Sequence, residues 1–244
     1  MKKIILLLAF CLSVGNLFAQ DANADKLREE GDAAMTAKNY PEVVTKYSEY
    51  LKLTNYEDES RIFNCAFAAY NAKKYDDAIK FYDMAIQKGY KADDAYVGKA
   101  MSLRSQDKAA DFTATVEAGL KANAQNANLE KLLYAYCMKK GQAAQKAGKT
   151  DEAEELFKDV LVVGNTKYKG NALYSLGVMF YNAGAKILAD ANPIATSDPD
   201  KYAAEKKKAD AQMAKAKGYL EQAVALNAAD ANSKKILDAI NAAK

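Results

Sequence analysis

Apolar residues recur at intervals of three and four along almost the whole chain, with polar residues between them. This spacing is typical of α-helices that bury one face, and alanine and other good helix formers dominate the segments. Only 3 prolines and 12 glycines interrupt the 244 residues, fewer turn signals than a β-sandwich or barrel needs. The pattern predicts eleven helices, at about 22–37, 41–54, 57–72, 75–88, 92–105, 107–122, 127–147, 150–163, 167–189, 199–227 and 230–243.

The helical pattern also repeats itself, with a period near 34 residues. The same alternation of residue sizes starts four times, at Tyr40, Tyr75, Thr150 and Met213. A small residue stands nine positions before each of the first three starts: Gly31, Ala66 and Gly141. Two antiparallel helices pack closely only where a small residue on one receives a large residue of the other. The repeat therefore predicts consecutive helical hairpins.

This alternation of small and large residues resembles the tetratricopeptide repeat. The resemblance covers essentially all of residues 22–244 and is strongest over 24–88 and 132–163. It implies an all-α fold, a right-handed α-solenoid of about five helical hairpins with a C-terminal capping helix. The repeat domain is expected over 20–244, with units at about 22–55, 57–90, 92–124, 127–165 and 167–228 and the capping helix at 230–243.

Two of the five predicted hairpins, the third and the fifth, depart from the repeat pattern. In the third, Lys108, Asp111 and Thr115 stand where an aromatic, a small and a large residue are expected, and only Ala118 fits. In the fifth, the second helix is displaced and begins at Pro199, after an Asp198 that is suited to cap it. Because that helix runs nearly thirty residues, we expect its lysine-rich early part, 206–208, to project as an arm.

The first residues predict export from a bacterial cell. Lys2 and Lys3 precede a short apolar stretch at 4–12, and small and polar residues follow up to Ala19. This is the layout of a cleavable signal peptide, expected over 1–19. The apolar stretch is shorter than the roughly 20 residues that span a bilayer, so we expect no membrane anchor after processing. The predicted location is the periplasm or the extracellular space.

The charge balance and the rare residues narrow the function. Cleavage after Ala19 would leave 33 basic against 32 acidic residues, so the even balance gives no reason to expect a nucleic-acid partner. The chain has no histidine, and only Cys65 and Cys137 remain after cleavage. These absences exclude the usual histidine-based triads and a cysteine-based metal cage, so we predict no catalytic residues, metal or cofactor. We expect the two cysteines to stay unpaired.

The family resemblance implies a binding surface. In tetratricopeptide proteins the first helix of each hairpin lines a concave groove, and aromatic residues in such a groove are typical binding hot spots. The leading hypothesis is therefore a scaffold that binds a segment of another protein. One alternative is a structural subunit of an envelope assembly that makes contact through the convex face or the lysine-rich arm; another is an enzyme that uses carboxylates and lysines. If each first helix is oriented as in the family, the aromatic residues that face the groove are Phe63, Phe67, Tyr70, Tyr96, Tyr174 and Tyr181.

Overall fold

The computed structural model describes residues 21–242, so the predicted signal peptide lies outside the described residues. Within this range the chain is helical, with no β-strand. Two 3₁₀ turns, Val160–Val162 and Asn192–Ile194, accompany the α-helices. These helices are α1 (21–36), α2 (Tyr40–Leu53), α3 (Glu59–Asn71), α4 (Tyr75–Lys88), α5 (Ala92–Ser105), α6 (Ala109–Ala122), α7 (Ala127–Lys146), α8 (Thr150–Asp159), α9 (Thr166–Ala191), α10 (Pro199–Leu226) and α11 (Ala231–Ala242).

The predicted all-α fold is confirmed, and side-chain caps explain several of the helix ends. Five of the described helices start after an Asp or Asn whose side chain accepts a backbone N–H three residues on, which satisfies a donor that the helix leaves free. These caps are Asp58, Asn126, Asn165, Asp198 and Asp230. The largest difference from the predicted bounds is at α8, which ends at Asp159 and gives way to a 3₁₀ turn.

The chain forms two compact units that meet in sequence between Gly119 and Leu120. Unit 1 contains α1 to α5 and most of α6, and unit 2 contains the end of α6 and α7 to α11. Each has its own buried apolar core. The largest fully buried side chains include Tyr47, Leu51 and Ile62 in unit 1 and Phe157, Leu176 and Leu220 in unit 2.

Glycines allow the helices of a hairpin to approach each other closely. A Cβ atom at Gly31 would lie 2.5 Å from the ring of Tyr47, and one at Gly141 would lie 2.6 Å from the ring of Phe157. Both pairs join the two helices of one hairpin, as the repeat pattern predicted. Tyr82 behaves differently, because its ring occupies the space beside Gly98 on the first helix of the next hairpin.

The helix α6 has a different buried face from the one predicted. Phe112 and Val116 are fully buried, whereas Ala118, the one residue that fitted the repeat, is exposed. The two large side chains lie one position beyond Asp111 and Thr115. The third hairpin therefore keeps large buried residues on its second helix, with the register shifted by one residue.

The expectation of a projecting lysine-rich arm is wrong. The helix α9 continues to Ala191 and packs against the early part of α10, where Ala209 is fully buried. A Cβ atom at Gly184 would lie 3.0 Å from the carbonyl oxygen of Ala209, so the two backbones are close. Small residues on both helices permit this approach. The early part of α10 therefore packs against α9, a contact that the repeat pattern did not predict. The lysines at 206–208 are exposed on the outside of this long hairpin.

The last helix caps unit 2 as predicted. Ile240 is buried, and Ile236 and Leu237 are partly buried against the core of the unit. Lys234 and Lys235 are exposed, so the outer face of α11 is polar. A final repeat needs such a polar outer face because no further hairpin covers it.

Candidate partner-binding surface

In unit 1 the predicted aromatics of α3 combine exposure with contacts to neighbouring elements. Phe67 is 42% exposed and meets Tyr40 edge to face, with 6.0 Å between ring centroids. Phe63 is half-buried, at 5.8 Å from the ring of Tyr82, and Lys91 places its Nζ 5.1 Å from the Phe63 ring centroid. Because these positions follow each other at helical spacing, α3 presents one aromatic stripe, completed by the half-buried Tyr70.

Tyr96 lies on α5 and lines a cavity of about 480 Å³ between α4, α5 and α6. The apolar part of the lining includes Ile79, Ile86 and Leu103. The side of α6 that faces the cavity carries only small or polar residues, among them Ala114 and Thr115. The degenerate third repeat thus leaves a space, and Tyr96 is directed to it.

In unit 2 the predicted Tyr174 and Tyr181 are half-buried and pack against the core. Phe63 and Tyr70 do the same in unit 1. The aromatic positions taken from the repeat phase therefore contribute to packing as well as to the surface. Among the six predicted residues, Phe67 is the most exposed.

The repeat phase missed two tyrosines of unit 2. Tyr134 on α7 and Tyr168 on α9 stack with 4.2 Å between centroids and 10° between ring planes. Asn171 donates from Nδ2 to the Tyr134 hydroxyl at 2.8 Å, which fixes the pair. Tyr134 precedes Gly141 by seven residues and Tyr168 precedes Gly177 by nine, so they share no repeat position. Their proximity arises only when α7 and α9 pack side by side.

A second cavity, of about 590 Å³, lies beside this pair between α9, α10 and the start of α11. Its lining includes Lys167, Asn171 and Tyr174 from α9 and Leu226 from the end of α10. Leu226 is 39% exposed, so its apolar side chain is open to solvent beside this cavity. Asn171 belongs both to this cavity and to the tyrosine pair, so the two form one continuous surface.

A polar network joins the first three helices of unit 1. Asp32 accepts hydrogen bonds from the Tyr47 hydroxyl at 2.6 Å and from Arg61 Nη2 at 2.8 Å. Arg61 also lies 3.6 Å from a carboxylate oxygen of Asp58, which accepts from the Tyr50 hydroxyl at 3.0 Å. Arg61 is therefore shared between two carboxylates, and its charge is already paired within unit 1.

The network alters the acidity of its members. Burial opposes ionisation of Asp32, but the hydrogen bonds from Arg61 and Tyr47 and the charge of Arg61 outweigh it, so the Asp32 pKa is below its ordinary value. The hydrogen bond to Asp32, against the opposing effect of burial, raises the pKa of Arg61. Burial, followed by the hydrogen bond to Asp32, raises the pKa of Tyr47.

These shifts predict a pH-dependent contribution to stability. Because the pKa of Asp32 is lower in the folded chain, its charge stabilises the fold above about pH 4, the unfolded value, and this is lost as the pH falls through the lowered pKa. Urea unfolding at several pH values should show Asp32→Asn less stable than wild type near neutrality, with the difference shrinking in acid. Glu57→Gln, which removes an exposed carboxylate of unit 1, is the control for the loss of one negative charge. If the difference in free energy of unfolding between wild type and Asp32→Asn stays constant with pH, the pKa of Asp32 is not lowered in the folded chain.

Cys65 on α3 and Cys137 on α7 are both buried free thiols. Burial raises the pKa of each to about 12, so neither is a thiolate near neutral pH. A nucleophile or metal ligand would need the thiolate form. Both cysteines therefore act as small apolar core residues.

Across residues 21–242 no group of three or more Cys, Asp or Glu side chains is arranged to hold a metal ion. In the same part of the chain no helix is both long and apolar enough to cross a bilayer.

Comparisons with known proteins agree with this architecture. The chain is similar to a TPR-repeat protein from Bacteroides fragilis NCTC 9343 of known crystal structure, with 44% identity and a TM-score of 0.85, over 91% of this chain and 99% of that one. It is also 30% identical over 154 residues to Hsp70-Hsp90 organizing protein 1 of Glycine max, a match that covers 60% of this chain. The chain spans about a quarter, 26%, of that relative's length.

No family model matches the chain. The similarity to the Bacteroides fragilis protein nevertheless extends over nearly all of that protein at 44% identity, and its fold is the one described above. Small residues that face large ones within the first, fourth and fifth hairpins supply the physical basis of the likeness. The chain belongs to the tetratricopeptide repeat family.

Proposed function

We propose that the protein is an interaction scaffold of the bacterial periplasm or cell envelope, which binds a segment of another protein along the first helices of its hairpins. Tetratricopeptide folds are generally protein-binding scaffolds, not enzymes. The predicted signal peptide at 1–19 supports the location. The predicted contact residues are the exposed and half-exposed aromatics of the first helices.

The observation that carries the proposal is the aromatic stripe of α3. Phe67 is one of three exposed large hydrophobic side chains among the described residues, and it lies on a first helix between half-buried Phe63 and Tyr70. Aromatic side chains bring large apolar area with few rotatable bonds, so a bound segment orders them at little entropic cost. The internal network of Asp32 and Arg61 does not compete for this stripe, because its charges are already paired.

The proposal is tested by capturing partners from envelope extracts of the source bacterium and measuring their affinity for variants. Phe67→Ala should weaken binding by about 2 kcal/mol or more if the stripe is a hot spot. Calorimetry with the purified partner gives the affinity, and thermal unfolding shows whether the variant remains folded.

Val162→Ala is the matched control. Val162 is 52% exposed, more than Phe67, but it lies on the 3₁₀ turn after α8 and not on a first helix. Its truncation should leave the affinity unchanged. Normal binding by Phe67→Ala, together with a loss for Val162→Ala, would place the interaction surface outside the first helices and overturn the proposal. Export is tested separately, by finding the processed chain in the periplasmic fraction or the medium.

A further inference from the structure

The surface formed by the tyrosine pair and the adjoining cavity in unit 2 has a distinct chemistry. Tyr134 and Tyr168 form its aromatic part, and Leu226 and Tyr174 line the cavity beside it. A volume of about 590 Å³ accommodates an apolar side chain and the backbone around it. Leu226 and Tyr174 supply apolar contact for such a side chain. The one carboxylate that lines this cavity, Asp230, accepts hydrogen bonds from the backbone and the hydroxyl of Ser233.

Charge is segregated between the helices of unit 2. The first helices α7 and α9 together carry seven lysines and two carboxylates, whereas the intervening second helix α8 carries five carboxylates and one lysine. Residues 120–244 hold 19 Lys against 14 Asp and Glu, a net charge of +5, whereas residues 20–119 hold 14 basic and 18 acidic residues, a net charge of −4. The positive charge is thus concentrated on the helices that carry the tyrosine pair.

Neither carboxylate on α7 and α9 pairs with Lys131 or Lys167. Glu130 is buried and accepts the backbone N–H groups of Gly164 and Asn165, and Asp190 pairs with Lys186 at the far end of α9. Lys131 and Lys167 are exposed and have no ion-pair partner in the described chain. Lys131 precedes Tyr134 by about one helical turn on α7. Lys167 lines the cavity together with Asn171, whose side chain contacts Tyr134, so each of the two helices carries an exposed ammonium group near this surface.

Unit 1 offers a contrast. Its basic side chains on first helices are mostly neutralised within the unit: Arg28 pairs with Asp25, Arg61 with Asp32, and Lys99 with Asp83. A charged ligand there would have to replace existing ion pairs. A charged ligand at Lys131 and Lys167 would replace no ion pair of the described chain.

We infer that the first-helix surface of unit 2 binds an extended acidic segment of a partner protein. An apolar side chain of the segment enters the cavity beside Leu226 and Tyr174, and its carboxylates pair with Lys131 and Lys167. This inference rests on the proposed function and adds the chemistry of the partner. Complementary charge speeds association and selects against basic segments, while the apolar side chain supplies most of the affinity.

The test uses the full mature chain and a fluorescent synthetic peptide in which aspartates flank one phenylalanine. Fluorescence anisotropy should show binding that weakens as salt rises, because exposed charge pairs are screened. A peptide with lysines in place of the aspartates should not bind. A peptide with alanine in place of the phenylalanine should bind much more weakly. The double variant Lys131→Glu/Lys167→Glu should lose about tenfold or more in affinity.

The matched control is Lys201→Glu/Lys207→Glu, which makes the same change in net charge at two exposed lysines of α10. It should bind the acidic peptide nearly as well as wild type. Circular dichroism and thermal unfolding establish that both double variants are folded. Equal losses in the two variants would show a general charge effect and overturn the inference.

Two further outcomes separate this inference from the proposed function. If a captured partner binds through Phe67 while the acidic peptide does not bind and the Lys131/Lys167 reversal has no effect, the inference fails and the scaffold proposal stands. If the wild-type chain self-associates in light scattering and the reversal abolishes this, the occupant is the acidic unit 1 of a second copy. A separate partner is then excluded as the occupant.

Discussion

Truncating Phe157 to alanine is expected to lower the free energy of unfolding of the protein by about 3–5 kcal/mol. Phe157 is fully buried on α8, and its ring fills the space beside Gly141 on α7. Removing it leaves a cavity at the centre of the hairpin, and a glycine on the other side has no side chain to fill it. Urea unfolding followed by circular dichroism measures the loss.

The comparison variant is Tyr168→Ala, which removes another aromatic ring from unit 2. Tyr168 is half-exposed and its main contact is the stack on Tyr134, so its loss should cost about 1 kcal/mol. A similar loss for both variants would mean that Phe157 does not occupy the centre of the hairpin. The assignment of α7 and α8 as one repeat would then be wrong.

Replacing two helical glycines by leucine is expected to change stability in opposite directions. Any Cβ atom at Gly98 would overlap the ring of Tyr82, which is only 3% exposed and has no free space to move into. Gly98→Leu should therefore destabilise unit 1 by about 3 kcal/mol, at the upper end for an overpacked core. At Gly218 on α10 a Cβ atom would meet nothing within 4 Å, so Gly218→Leu should stabilise the helix by up to about 1 kcal/mol.

The partner of Gly98 is checked by a second substitution. Truncating Tyr82 to alanine in the Gly98→Leu background should recover part of the loss, because the leucine then occupies the space that the ring left. Additive losses in the double variant would show that Gly98 and Tyr82 do not contact each other. Thermal unfolding of the single and double variants gives all the required free energies.

Helix positions and the hairpin register could be predicted because they depend on local spacing. The pairs Gly31 with Tyr47 and Gly141 with Phe157 follow from a small residue and a large residue at fixed separation. The register of α6 could not be predicted in the same way, because Phe112 and Val116 have no counterparts at those offsets. Where the repeat pattern weakens, burial is decided by packing within the unit.

Only part of the candidate surface could be predicted from the sequence. The phase of the repeat identified Phe67 as an exposed aromatic, but it gave no information on how far Tyr174 and Tyr181 pack against the core. The tyrosine pair was missed because Tyr134 and Tyr168 occupy different positions within their repeats and meet only through the packing of two helices. The cavity beside Leu226 likewise needs three helices to form.

The long hairpin of α9 and α10 has a consequence for the dynamics of unit 2. Its inner half is anchored by large side chains, Leu176, Phe180 and Leu220. Its outer half buries mainly small ones, Gly184, Ala191 and Ala209, and so gains little apolar stabilisation. Local opening costs least where few apolar contacts must be broken. We therefore expect the outer end of this hairpin to open at a lower cost in free energy than its inner half, while the repeat core stays intact.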